Sequence, residues 1–216
     1  MPMTTPNPTD QRENLRTCYD KYAQERDSGS IQDWKAQERA GFLVILQQEH
    51  KHTLLEIGAG PGRDSLFFLE QGLKPVCIDL SAAMVELCQQ KGLPAQVMDM
   101  LYLQFPDASF DAVYAMNSLL HLPKVEFPLV LQEISRVLQP GGLFYLGIYG
   151  GYEHEGIWDQ DAYQPQRFFS FFSDEHLEEE VKTVFEILSF KHITVEAGNH
   201  LGFQSLTLRK HADTPQ

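Results

Sequence analysis

Cysteine is scarce in this sequence: Cys18, Cys77 and Cys88 are odd in number and scattered. That excludes a disulfide framework and a cysteine-built metal centre, and it fits reduced thiols in a cytoplasmic setting. No apolar run approaches the roughly 20 residues that cross a bilayer, so no membrane contact is expected. The start, Met1-Pro2-Met3-Thr4-Thr5-Pro6-Asn7-Pro8, has neither a cationic stretch nor an apolar core, and no signal peptide is expected. Basic residues are few, with 17 Lys and Arg against 30 Asp and Glu for a net charge of −13. No Lys/Arg stripe is visible, and such a field repels a phosphate backbone, so nucleic acid is not an expected partner. There is no internal repeat, no heptad array and no acidic triad of the kind a catalytic metal needs, so no metal is expected.

What is present suits one folded domain. Over 216 residues, 43% are apolar, enough for a sizeable core. Residues 1–9 read as a disordered tail, 10–210 as the domain and 211–216 as a frayed end. A helical pattern over about 10–27 carries Leu15, Cys18, Tyr19 and Tyr22 on one face, and a second over 33–49 carries Trp34, Leu43 and Leu46. From Thr53 onward strand and helix alternate, which implies a parallel sheet with right-handed crossovers and an α/β fold. Strands are predicted at 53–57, 74–78, 95–98, 110–116 and 143–149. Ser81 is placed as a helix N-cap, and Met84, Leu87 and Cys88 as a buried stripe. Residues 127–138 show strong helical periodicity, with Pro128 confined to the first turn. The aromatic and polar stretch 152–172 reads as a lid or substrate loop rather than packing. Ser173 caps an acidic helix, and two closing strands, about 185–196 and 203–209, flank a hairpin signal at Gly198–Gly202.

The chemistry centres on Leu54-Leu55-Glu56-Ile57-Gly58-Ala59-Gly60-Pro61-Gly62-Arg63. It is an apolar strand, an acid, a glycine turn and a helix start, the corner of an open α/β sheet where ligands lie against backbone. A dinucleotide fingerprint needs a third glycine at position 63, where Arg63 stands. Asp79 lies about twenty residues past the first glycine, at a strand end, where a carboxylate can accept from both hydroxyls of an unphosphorylated ribose. Asp99-Met100-Leu101, the strand end at Asn117-Ser118-Leu119-Leu120-His121, and Arg136-Val137-Leu138-Gln139-Pro140-Gly141-Gly142 follow in order.

This series resembles the class I S-adenosylmethionine-dependent methyltransferases, of the small-molecule type. The resemblance covers roughly 53–149. It implies a Rossmann-like, doubly wound, seven-stranded sheet, mostly parallel, with an antiparallel C-terminal strand and helices on both faces. It implies S-adenosyl-L-methionine as cofactor, S-adenosyl-L-homocysteine as product and a small-molecule methyl acceptor. By the same resemblance Glu56, Gly58, Ala59, Gly60, Arg63, Asp79, Leu80, Met84, Asp99, Met100, Leu101, Asn117 and Tyr22 are cofactor candidates. Tyr19, Tyr149, Tyr152, His154 and Arg167 are substrate candidates, and the N-terminal helices are expected to close over the cofactor. Tyr19 and Tyr22 read equally as packing aromatics, Asp99 as a turn residue, and His154 and Arg167 as surface pairs. His121 is the candidate base; its alternative is a packing or turn role. Two other readings stay open: an adenosyl-ligand-binding or scaffolding protein without turnover, and a nicotinamide-dependent oxidoreductase.

Overall fold

The computed structural model describes residues 8–158, 161–195 and 201–211. At its centre β1 (Thr53–Ile57) has four of five residues buried, as a parallel strand covered on both faces requires. β2 (Lys74–Asp79) and β4 (Phe110–Met116) pair with its two edges, both parallel. β3 (Ala95–Val97) lies outside β2, and β5 (Leu138–Gly150) outside β4. β6 (His154–Ile157) and β7 (Phe168–Phe171) form a separate antiparallel hairpin. β8 (Phe185–Thr194) and β9 (Gly202–Lys210) complete the main sheet, with β9 antiparallel between β5 and β8. The seven-strand order is β3-β2-β1-β4-β5-β9-β8. Strand order reverses between β1 and β4, so a crevice opens at the carboxyl ends of these strands.

Helices cover both faces. α3 (Asp33–Gln48) and α4 (Arg63–Glu70) pack Phe42, Leu46 and Phe68 against Leu54, Tyr114 and Tyr145. α6 (Phe127–Val137) buries all five of its periodic apolar residues, and Pro128 sits in the first turn, where no backbone donor is needed. With α7 (Asp174–Lys182), capped by Ser173 as predicted, it covers the other face. α5 (Ala82–Gln90) begins at Ser81, whose hydroxyl accepts the Met84 N–H. α1 (Pro8–Lys21) and α2 (Ala23–Ser28) lie against α5 through Ala23, Met84 and Leu87.

The structure differs from the sequence reading at several places. Helix begins at Pro8, inside the predicted tail, and the predicted 10–27 helix is broken at Tyr22 (φ −102°, ψ 12°). Leu138 opens β5 instead of ending α6, because a register shift lets it pair with Phe110 before the chain turns at Pro140-Gly141. The largest correction concerns 152–172. It contains the β6–β7 hairpin, and Phe168, Phe169, Phe171 and Phe172 are buried, so much of this stretch is core. The stretch was read as a lid or substrate loop rather than packing, yet Phe168 and Phe172 are core, while Phe169 and Phe171 are buried and also line the third hollow described below. The tail over residues 1–7, the turn at Gly198-Asn199-His200 and residues 212–216 lie outside the described residues.

The glycine turn after β1 is tightly packed. Gly58 has φ +69°, and a Cβ there would lie 2.3 Å from Ser118 Cβ. Gly58→Ala is expected to cost about 2–4 kcal/mol from left-handed strain and overlap together. Thermal unfolding should then fall by roughly 5–15 °C. A shift below about 2 °C would mean that the turn rebuilds freely.

Candidate functional site

Three adjoining hollows open at the carboxyl ends of β1, β2 and β4. The first is enclosed, with Gly58, Asp79, Leu80, Asp99 and Met100 on the sheet side and Gln11, Arg12 and Leu15 of α1 above. The second, a cleft of about 740 Å³, runs between Glu56, Gly58, Ala59, Gly60 and Arg63 and the Glu25–Lys35 region. The third, about 470 Å³, is walled by Tyr19, Asn117, His121, Tyr149, Trp158, Arg167 and Phe169. Gly58 belongs to the first two hollows, His121 to the first and third, and Asn117 and Tyr149 to the second and third.

The turn's acids are held by local bonds. Asp79 Oδ2 accepts from the Gly60 N–H at 2.8 Å and Oδ1 from the Ser81 N–H at 2.9 Å. Burial pushes its carboxyl up, and these two amides pull it back. The Asp79 carboxylate is thus aimed along the crevice with lone pairs remaining on each oxygen. Gly60 has φ +54°, and a Cβ built on it meets nothing within 4 Å, so the backbone there faces open space. Glu56, almost fully buried, accepts from Ser65 Oγ and ties the end of β1 to the first turn of α4. Burial and the neighbouring Asp64 charge push Glu56 well above the usual carboxylate range. Asp64 in turn pairs with Arg39 at 2.7 Å.

A hydrogen-bonded chain crosses the third hollow. His121 Nδ1 lies 2.9 Å from the Phe168 carbonyl, which can only accept, so Nδ1 carries the proton. Nε2 is then bare and accepts the Tyr19 O–H at 2.7 Å. The Tyr19 oxygen accepts from Arg167 Nη1 at 3.0 Å, and Arg167 is clamped by Asp161 through Nε and Nη2 at 2.9 and 2.7 Å. Burial first, then the Arg167 charge, hold His121 down to about 3, so it is a neutral acceptor at physiological pH. Burial pushes Tyr19 up while Arg167 opposes that shift. Asn117, in the left-handed region at φ +57°, has a buried Oδ1 with no hydrogen-bond partner among the described residues.

α1 is fastened over the crevice at both ends. Asp20 Oδ1 accepts from Ser81 Oγ and from the Ala83 N–H at 3.1 Å, at the start of α5. Arg12 donates to both Glu126 oxygens at 2.7 Å, and its Nε lies 3.1 Å from Asp99 Oδ2. Asp99 Oδ1 also accepts the Leu101 N–H, which is the turn role weighed from sequence.

Of the sequence-predicted residues, Glu56, Gly58, Ala59, Gly60, Arg63, Asp79, Leu80, Asp99, Met100 and Asn117 all line the first two hollows. Tyr19, Tyr149, Arg167 and His121 line the third. Five others stand apart. Met84 is fully buried between α5 and the α1–α2 pair, and Leu101 belongs to the main core. Tyr22 stacks on Tyr163 at 4.4 Å, because the break between α1 and α2 turns it aside. Tyr152 and His154 pack on Phe171, away from the lining. Sequence reasoning missed Arg12, Arg26, Lys35 and Trp158. A signal existed for two of them: Arg12, Tyr19 and Arg26 are spaced seven apart, one face of a helix.

Comparison with known proteins is consistent with this arrangement. Residues 55–146 match the family model of a methyltransferase domain. A sterol 24-C-methyltransferase of Gibberella zeae is 44% identical over 32% of this chain and 17% of its own length. The 27-O-demethylrifamycin SV methyltransferase of Amycolatopsis mediterranei is 34% identical over 50% of this chain and 41% of its own. The chain thus spans less than half the length of either relative. The structure of the Burkholderia thailandensis 1,6-didemethyltoxoflavin-N1-methyltransferase, with 1,6-didemethyltoxoflavin and S-adenosylhomocysteine bound, shares the fold at a TM-score of 0.75 and 21% identity. That superposition covers 98% of this chain and 93% of the other. Residues 55–146 thus carry a methyltransferase-domain match, set in a seven-stranded, glycine-turn architecture that shares the fold of such an enzyme.

Proposed function

We propose that this protein transfers a methyl group from S-adenosyl-L-methionine to a small-molecule acceptor. One observation carries the reading: the Asp79 carboxylate and the open backbone at Gly60 meet at the switch point, joined by a hydrogen bond. A nucleoside needs both there, a carboxylate for its hydroxyls and a backbone without side chains to lie against. The residues fit the cofactor in other respects. Asp99 and Met100 supply an acceptor and an apolar flank in the first hollow for adenine, and Glu56, Ala59 and Arg63 line the second for the methionine end.

When bound, the cofactor supplies an electrophilic methyl on a sulfonium, and the protein's task is binding and orientation. Asn117 stands where the second and third hollows meet, and its unpartnered Oδ1 is suited to accept the hydrogen of an incoming nucleophile. Tyr19 extends that contact: His121 Nε2 accepts its O–H and Arg167 donates to its oxygen, so the hydroxyl is held in one orientation at the wall of the third hollow.

The dinucleotide reading has no such support, since Arg63 occupies the third-glycine position. Calorimetric titration with S-adenosylhomocysteine is expected to show micromolar binding, with no heat from NADH. Binding of NADH alone would overturn the proposal.

A further inference from the structure

We propose that the acceptor is a small aromatic carboxylate, held by Lys35 and Arg26 over the rings of Trp158 and Phe169. This rests on the methyltransferase reading and names the substrate class of the same site.

The argument begins with charge. The chain carries 30 acidic residues against 17 basic ones, so a cation without a carboxylate partner is unexpected. The second hollow shares Arg26 and Lys35 with the third and adds Arg63, Glu25, Glu56 and Asp64, of which Asp64 is already paired with Arg39. Among the described residues the third has Arg26, Lys35 and Arg167 in its lining and no Asp or Glu. Arg167 is already neutralised by Asp161, which lies behind it with a side chain only 2% exposed. Two cations remain.

Neither is otherwise committed among the described residues. The Lys35 ammonium lies 5.2 Å from the ring centres of both Trp34 and Tyr149, with no ion pair or hydrogen bond. Burial lowers it to about 8, which still leaves it mostly protonated at neutral pH. Arg26 lies 5.0 Å over the Tyr19 ring, and its Nε is buried without a partner. Half-buried charges left unpaired are costly, and an anion arriving between them removes that cost. The cofactor's own carboxylate has Arg63, which lines the second hollow and not the third, to meet it.

Shape supplies the rest of the class. Trp158 stands edge-on to Phe169 at 5.4 Å and to Phe171 at 6.1 Å, forming ring-lined walls opposite the cations. Such walls favour a flat apolar body bearing one charged group. A carboxylate is met by two side-chain cations such as these, whereas a doubly charged phosphate is more fully met where backbone amides join them. Among the described residues no glycine loop contributes to this hollow.

The test uses the full chain saturated with S-adenosylhomocysteine and titrated with 2-naphthoate, 2-naphthamide and 2-naphthyl phosphate. The acid should bind at least about tenfold more tightly than the amide, as one desolvated ion pair implies. Lys35→Gln should erase most of that preference, and Lys35→Arg should keep it. Equal or tighter binding of the amide, or no binding of either, would overturn the proposal. Tighter binding of the phosphate would overturn the carboxylate assignment. The first stage of the same titration separates the two readings: failure of S-adenosylhomocysteine itself to bind removes the methyltransferase reading, and this inference with it.

Discussion

His121→Ala is expected to lower turnover by about 100-fold, the range in which displacing a catalytic group by an ångström acts. S-adenosylhomocysteine affinity should stay within about threefold, because the effect belongs to kcat rather than to cofactor binding. The reason lies in the ring's two bonds. Nδ1–H is spent on the Phe168 carbonyl, so Nε2 is the one nitrogen able to receive a proton, and it faces Tyr19. Removing the ring leaves the Tyr19 hydroxyl without the acceptor that orients it. A structural role would read differently, as a fall in thermal stability with turnover per folded molecule unchanged. The pH profile adds a second readout. Since burial holds His121 down to about 3, deprotonation is complete far below neutrality, and no acid limb should appear near the ordinary histidine value of about 6.5. A limb there, or unchanged turnover in the variant, would remove His121 from the mechanism.

Asp79→Ala should weaken S-adenosylhomocysteine binding by about 100-fold. Two hydrogen bonds from ribose hydroxyls to an ionised carboxylate contribute about 1.5 kcal/mol each. Their sum of about 3 kcal/mol corresponds to roughly two decades in Kd. The same carboxylate also holds the Gly60 and Ser81 amides, so its loss loosens the turn beneath the ligand. Calorimetry on the variant, with a melting curve beside it, separates the two effects. A change below about threefold in a variant that melts normally would show that the ribose lies elsewhere.

The sheet was legible because its signals are local. Apolar runs of strand length and Ser81 and Ser173 at N-caps each follow from one short stretch, and each stands where it was expected. The glycine turn and Asp79 were legible for the same reason. Hidden features depend on distant contacts. The phenylalanines of 168–172 look alike whether they line a ligand or a core, and only β7's place against the sheet decides. Tyr22 was assigned to the ligand by family resemblance alone, and its ring stacks on Tyr163, a partner far away in the chain. Lys35 resembles any surface lysine until Tyr149, more than a hundred residues away, closes over it.

The seven-residue spacing of Arg12, Tyr19 and Arg26 makes α1 and α2 a wall common to all three hollows. Arg12 grips Asp99 and Glu126 over the first, Tyr19 touches His121 in the third, and Arg26 stands between the second and third. No hollow can be opened by moving this wall without unmaking the others. A molecule lodged beneath Arg12 is therefore a splint for Tyr19 and Arg26, and a second guest finds its chamber finished only after the first has set it.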